Sequence, residues 1–320
     1  MPITRRDFAK IATATAAALP LAAQQGGRRT IAKPNSRYAG VQVGIISYSL
    51  REMAALDILP AIAKLGINEV ELMSNHAEAI VGAPAAPPRA AAGAPPNPAQ
   101  EKYRQDTAAW RSSAETMNKY HDLRKQFDDA GINLGILCYN MNGNIADEEI
   151  DYAFRMAQAL GVRSISSSST VTIAKRVAAF ADKYKTIWAG HGHDDVNDPE
   201  QFAKPETFEK IMSFSPYIAV NLDVGHFTAA GYDPVSFIRR YHDKITNLHL
   251  KDRTRNPAGG RGGNLRWGDG ETPIREVLQL LRREQYGFPA NIEYEYQGTD
   301  PVIEVAKCLQ YAKDALLGIA

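Results

Sequence analysis

Between residue 40 and the C-terminus, eight short β-rich runs alternate with amphipathic helical patterns, and this alternation restricts the fold more than anything else in the chain. The runs lie at 41–47, 69–73, 133–139, 163–167, 186–189, 218–223, 245–250 and 290–296. Several are continuous apolar stretches, as expected of parallel strands covered on both faces. Between them, Ile58, Ile62 and Leu65 share a helical face that ends at Gly66, and Ile150, Phe154 and Ala157 share one that ends just before Gly161. Both glycines stand where a left-handed C-cap belongs. Ile173, Val177, Phe180 and Tyr184 make a third stripe, and Asp233-Pro234 reads as an N-cap with proline at the first helical position. Eight β/α units in one composition regime predict the α/β class and a single (β/α)8 TIM barrel. A doubly wound sheet would want a Gly-rich phosphate turn after its first strand, where Ser47-Tyr48-Ser49-Leu50-Arg51 stands instead.

The 320 residues exceed what a barrel of about 250 residues requires, and the surplus has two locations. One is the N-terminus; the other is an Ala/Pro-rich stretch at 79–100, which includes Gly82-Ala83-Pro84-Ala85-Ala86-Pro87-Pro88. Proline prevents a regular helix there and the small side chains cannot build a core, so this stretch reads as a flexible insertion in a barrel spanning 40–320. A Gly-Gly-Arg-Gly-Gly loop at 259–263 follows the seventh run. Lys and Arg number 37 against 36 Asp and Glu, a net charge of +1, which argues against a protein built to grip nucleic acid or an anionic membrane. The two cysteines, Cys138 and Cys308, lack metal-ligand spacing and read as packing residues.

Thr4-Arg5-Arg6-Asp7-Phe8-Ala9-Lys10, followed by a weakly apolar run to Ala23, resembles a twin-arginine export signal. Residues 1–23 are therefore expected to be a signal peptide and 24–39 a linker, with the translocation machinery as a partner and the periplasm as the destination. Removing 1–23 takes away Arg5, Arg6, Lys10 and Asp7, so the net charge moves from +1 to −1. No other stretch is long and apolar enough to span a bilayer, which predicts no membrane contact after signal removal. Self-association into a homo-oligomer is compatible with all of this.

Chemistry-bearing residues collect at the C-terminal ends of the runs, the catalytic rim of such a barrel. The fifth runs into His191-Gly192-His193-Asp194-Asp195, the sixth ends in Asp223-Val224-Gly225-His226, the seventh in His249-Leu250-Lys251-Asp252, and the eighth carries Glu293-Tyr294-Glu295. Any one of these histidines or acids alone reads as a hydrogen-bonded or capping residue. Their recurrence at matching points of successive strands supplies the convergent imidazole and carboxylate groups that a divalent cation requires.

Leu222-Asp223-Val224-Gly225-His226 and Leu248-His249-Leu250-Lys251-Asp252 resemble the signature of the xylose isomerase-like barrels, the superfamily of sugar-phosphate isomerases/epimerases, ketose 3-epimerases, inosose dehydratase and endonuclease IV. Val43-Gly44-Ile45-Ile46-Ser47-Tyr48-Ser49-Leu50-Arg51 and Gly66-Ile67-Asn68-Glu69-Val70-Glu71-Leu72 resemble the opening of its sugar-active members. The resemblance implies Asp223, His249 and Glu293 as metal ligands, with Glu293 preferred to Glu295 because family members place the ligand Glu first. Sugar epimerases of the family carry a Glu on strand five. Here Ala189-Gly190-His191-Gly192-His193 has none and is closer to a His-x-His variant, which puts His191 at the fourth ligand position. Mn²⁺ is the first expectation for the ion, with Zn²⁺, Co²⁺ or Mg²⁺ as alternatives.

From these assignments the expected activity is a metal-dependent sugar isomerase or epimerase working by proton transfer through an enediolate. His193 and Glu293 are the proton-transfer pair, with Glu295 orienting them. His226, Lys251, Asp252, Trp267 and Glu71 are expected to hold a carbohydrate substrate. A His/Glu pair suits β-elimination from a 3-keto-sugar, keto-glycoside or inosose at least as well, so a lyase or dehydratase is the first alternative. A non-catalytic exported carbohydrate-binding barrel is the second. DNA repair of the endonuclease IV kind would want a basic face, which this charge balance does not provide.

Overall fold

A computed structural model describes residues 33–88, 97–256 and 262–319. The twin-arginine segment, most of the 24–39 linker, the centre of the Ala/Pro-rich insertion and part of the Gly-rich loop, Arg261 included, lie outside the described residues. From Lys33 onward the chain is one compact unit.

Eight strands run parallel and close on themselves: β1 (Val41–Ile46), β2 (Glu69–Met73), β3 (Asn133–Cys138), β4 (Ser164–Ser167), β5 (Ile187–His191), β6 (Ile218–Asp223), β7 (Ile245–Leu250) and β8 (Ala290–Ile292). β1 pairs with β2 on one side and β8 on the other, which completes the barrel. Six of the eight strands fall within one residue of the sequence expectation and two do not. β5 reaches His191 instead of stopping at 189, because Gly190 and His191 still pair with Val220 and Asn221 of β6. β8 ends at Ile292 instead of 296, so Glu293 and Glu295 stand on irregular backbone just past the strand.

Within the strands, side chains point alternately into the barrel and out toward the helices. Leu248 and Leu250 of β7 join the hydrophobic layer beneath the helices, while Asn247 and His249 share a polar interior. β2, β6 and β8 repeat this with Glu69 and Glu71, Asn221 and Asp223, and Asn291 and then Glu293. The interior is thus polar where the apolar runs had suggested burial in hydrocarbon on both faces. Gly44 of β1 makes room for that lining: a Cβ there would lie 2.2 Å from Asn291 Oδ1.

The helices cover the outside. α1 (Ala55–Leu65) ends at Gly66 with φ +75°, the left-handed cap expected of it. α2 (Ser74–Ile80) and two longer helices, α3 (Pro98–Ser112) and α4 (Ala114–Asp129), separate β2 from β3. The edges of the Ala/Pro-rich stretch are therefore helical. Ala79 and Ile80 finish α2, and Asn97 opens α3 through a reciprocal capping box with Gln100. The remaining helices are α5 (Asp147–Ala159), α6 (Val171–Tyr184), α7 (Pro205–Met212), α8 (Val224–Ala229), α9 (Pro234–Tyr241), α10 (Ile274–Glu284) and α11 (Pro301–Leu317).

Trp188, Phe202, Phe208, Phe227 and Phe237 stack edge and face outside β5 and β6. Each fully buried ring of this kind contributes about 1.5–3 kcal/mol. Exposed pairs such as Lys125–Asp129 on α4 are screened by solvent and contribute little. Phe202, in contact with Trp188 and Phe208, anchors the loop after β5 to this aromatic layer. Cys138 and Cys308 are both buried, free thiols. Among the described residues, no helix is long and apolar enough to cross a membrane.

Candidate metal centre and its cavity

The ends of β5, β6, β7 and β8 bring His191, Asp223, His249 and Glu293 together, with one ligand atom from each lying within 4.8 Å of the others. Strand register sets this: Asp223 is opposite His249, and His249 is opposite Asn291, two residues before Glu293. Glu293 keeps its height past the strand because its N–H donates to Leu250 O at 3.0 Å. Asp223 also ends its strand by capping α8, with Oδ1 accepting the His226 N–H at 2.7 Å. Its other oxygen, Oδ2, accepts no hydrogen bond; it lies 3.0 Å from Lys251 Nζ and 4.0 Å from His191 Nε2. His191 Nδ1 is also buried without a partner.

His249 is held from both sides. Its Nδ1 lies 3.2 Å from Glu293 Oε2, and its Nε2 lies 2.7 Å from Glu71 Oε2. Glu71 is 0% exposed. Its carboxylate accepts from Asn247 and Asn291 at 2.9 Å each and from the Ser166 hydroxyl. It therefore sits beneath the centre and out of a substrate's reach, which corrects the expectation that it binds substrate.

A cavity of about 180 Å³ opens above the four groups, and His193, His226, Lys251, Glu295 and Tyr48 reach its wall. His193 is set by the backbone: Gly192 N–H donates to Asn221 O, and His193 N–H to Phe202 O, each at 3.3 Å. Lys251 Nζ lies 3.0 Å from Glu293 Oε2 and 2.5 Å from Glu295 Oε2, so one ammonium ties both acids of the Glu-x-Glu string. His226 Nδ1 is 3.2 Å from Asp194 Oδ1, and Arg253 contacts both residues.

Two other expected substrate residues lie elsewhere. The Asp252 carboxylate accepts N–H groups from Gly268, Gly270 and Thr272 at 2.7, 3.0 and 3.1 Å, so it folds the following loop instead of facing the cavity. Trp267 is buried edge-on against Tyr311 and is absent from the cavity wall. Both assignments failed for one reason: proximity to a motif says nothing about which way a side chain leaves the backbone.

Sequence reasoning missed Asn221, Asn247, Asn291 and Ser166, the polar floor under the candidate ligands. A signal was present. Asn221-Leu222-Asp223, Asn247-Leu248-His249 and Asn291-Ile292-Glu293 repeat one pattern on three successive strands, an asparagine one inward step below each ligand. Tyr48, Asn140 and Ser168 on the wall and Asp194 behind His226 were missed as well.

The electrostatics follow from burial and charge. Burial, with Glu293 nearby, pushes Asp223 up against the opposing pull of Lys251. Burial would also raise Glu293, but Lys251 and His249 hold it well below the usual carboxylate range. Burial lowers His191, His193 and His226, assisted at His191 by His249 and at the other two by Lys251, so their imidazoles are neutral near pH 7. Burial opposes the charged form of His249 too, but Glu71 and Glu293 overcome it and raise that residue. In sum, Asp223, Glu293 and Glu295 converge on Lys251, while Glu71 and Glu293 flank His249, so four carboxylates share two basic groups. This excess of buried negative charge, the unpartnered Asp223 oxygen and the neutral His191 suit a divalent cation.

A family profile described as xylose isomerase-like TIM barrel matches residues 61–312. Inosose dehydratase from Geobacillus kaustophilus is 34% identical over 86 residues, a stretch covering 26% of this chain and 21% of that enzyme. The solved structure of the probable 3-DHS dehydratase AsbF, involved in petrobactin synthesis, from Bacillus anthracis aligns with a TM-score of 0.60 at 15% identity, over 84% of this chain and 98% of that one. The IolI protein, solved with a zinc atom bound, aligns with a TM-score of 0.59 at 16% identity, over 87% and 98%. At these identities the likeness to the two structures is one of fold.

Proposed function

Given that this chain belongs to the xylose isomerase-like TIM barrel family, we propose that it is a divalent-metal-dependent lyase that removes water or an alcohol from a keto-sugar, keto-glycoside or inosose. The observation that carries this is the unlike character of the two sides of the cavity. Glu293 and Glu295 stand at the β8 side, bound to Lys251, and neutral His193 and His226 stand at the β5–β6 side. Epimerisation at one carbon wants two comparable acid/base groups on opposite faces; elimination wants one base and a charged clamp. The match to an inosose dehydratase supports the same choice.

His191, Asp223, His249 and Glu293 would hold the ion. When bound, it would supply Lewis-acid polarisation of the substrate carbonyl. His193, kept neutral by burial and Lys251, takes the proton from the carbon beside the carbonyl. The C–O bond at the next carbon then breaks, a C=C bond conjugated with the carbonyl forms, and the imidazolium returns its proton to the departing oxygen. Lys251, anchored by Glu293 and Glu295, presents its ammonium to a substrate oxygen, and His226, backed by Asp194, presents a ring nitrogen.

The test is a panel of 3-keto-glycosides and inososes with Zn²⁺- or Mn²⁺-loaded protein. Appearance of an enone absorbance, or release of the aglycone, is expected. Solvent deuterium incorporation without loss of water or alcohol would make the protein an isomerase or epimerase; no exchange with any substrate would leave a binding protein. Export is the second part of the proposal, resting on Arg5-Arg6 and the run after them. Arg5-Arg6→Lys-Lys should retain the precursor in the cytoplasm on fractionation, and normal periplasmic recovery would refute it.

A further inference from the structure

We infer that Glu71 is a positioning residue for the metal centre: its carboxylate locks His249 as the Nε2–H tautomer and leaves Nδ1 as the ligand atom. The role rests on the metal-dependent reading above and adds a residue to it. The argument is one of donors and acceptors. An ionised carboxylate can only accept. Oε2 of Glu71 already faces the amide nitrogens of Asn247 and Asn291 at 2.9 Å, and Oε1 faces the Ser166 hydroxyl, with the Asn221 amide nitrogen at 3.5 Å. Four donors, from β4, β6, β7 and β8, all treat this carboxylate as an acceptor, the role of its ionised form. The fifth neighbour, His249 Nε2 at 2.7 Å, must then donate as well.

Asn221 Nδ2 stands 3.2 Å from the same ring nitrogen and would prefer to meet a lone pair there. The shorter, charge-assisted bond to Glu71 wins that competition. With Nε2 protonated, the lone pair of a neutral His249 lies on Nδ1, the atom 3.2 Å from Glu293 Oε2. A carboxylate behind a histidine both fixes the ring and strengthens it as a donor to a metal. Nothing about Glu71 suits contact with substrate, since it is fully buried under the imidazole.

Zn²⁺ alone, added to the full-length folded protein, tests this. In Zn²⁺-loaded wild type with ¹⁵N-labelled histidine, His249 should show a protonated Nε2 and a metal-shifted Nδ1; zinc on Nε2 overturns the assignment. Glu71→Gln keeps the volume and removes the charge. It should weaken Zn²⁺ binding by roughly 10- to 100-fold and change the His249 nitrogen pattern. A residue that merely fills space would lower the melting temperature and leave both the pattern and the affinity unchanged, and that outcome also overturns the proposal. If Glu71→Gln does not fold, the wild-type spectrum still decides. These readouts need no substrate, so inactivity on every keto-sugar leaves them intact, whereas a wild type that takes up no Zn²⁺ removes both this role and the metal premise.

Discussion

Glu69 and Glu71 leave β2 on the same side, two residues apart, and both are buried, yet they belong to opposite ends of the barrel and to different problems. Glu69 lies at the end where the strands begin. Its Oε1 is 2.8 Å from Arg163, whose side chain remains 41% exposed, and its Oε2 accepts from Asn133 at 2.7 Å. Gly135 makes space for that pair, since a Cβ there would lie 2.2 Å from the guanidinium. Glu71, one pleat further along, has no arginine. Its neighbours are amides, a hydroxyl and one imidazole. At the first end Glu69 meets a partly exposed cation, so the arrangement is self-sufficient. At the second, Glu71, Asp223, Glu293 and Glu295 share only Lys251 and His249, and negative charge accumulates beyond what those two can offset. One strand thus shows that a buried carboxylate is a matter of stability or of function according to whether the fold supplies its counter-charge.

Substitutions at the two ends can break that distinction. Asp223→Ala should reduce bound metal from about one ion per chain to almost none while the circular dichroism spectrum stays native. Full occupancy of the purified variant would show that the charge excess is not a cation site. His193→Ala should lower the elimination rate by about 10²-fold or more without altering metal content, measured on the same preparation; an unchanged rate would move the proton transfer to another group. Glu69→Gln should do the reverse. It should cost about 1 kcal/mol of stability, seen as a fall of about 2–4 °C in melting temperature, and leave metal content alone. If it instead empties the centre, the two ends are not independent. Lys125→Ala, which removes one member of an exposed, solvent-screened pair on α4, should leave both the melting temperature and the metal content unchanged and serves as the floor against which the others are read.

Periodicity made most of the barrel legible in advance, because a strand of the interior must alternate and a helix on the outside must carry a stripe. β2, β6 and β7 fall at their expected bounds for that reason. α3 was hidden because it buries almost nothing. Thr107 is its one fully buried position, so no stripe marks it and only the Asn97 cap gives it away. The clustering of His191, Asp223, His249 and Glu293 was legible because these residues recur at matching strand ends. Depth was not. Glu71 and Asp252 are polar residues in the right strings, but whether a carboxylate faces a cavity, a histidine or a row of backbone N–H groups depends on partners far away in the chain: Asn291 for the first, Gly270 for the second.

One atom separates two jobs at Asp223. Oδ1 ends a strand and starts α8 through the His226 N–H, and Oδ2 looks into the charged cluster. Asp223 therefore connects the charged cluster to the first turn of α8, and through it to His226 on the cavity wall. On the proposed reading, a chain that gained or lost an ion there would adjust the cavity wall through the same side chain. Asparagine at this position would keep the helix start and discard the charge, and so would show how much of the wall's geometry is owed to the ion and how much to the fold.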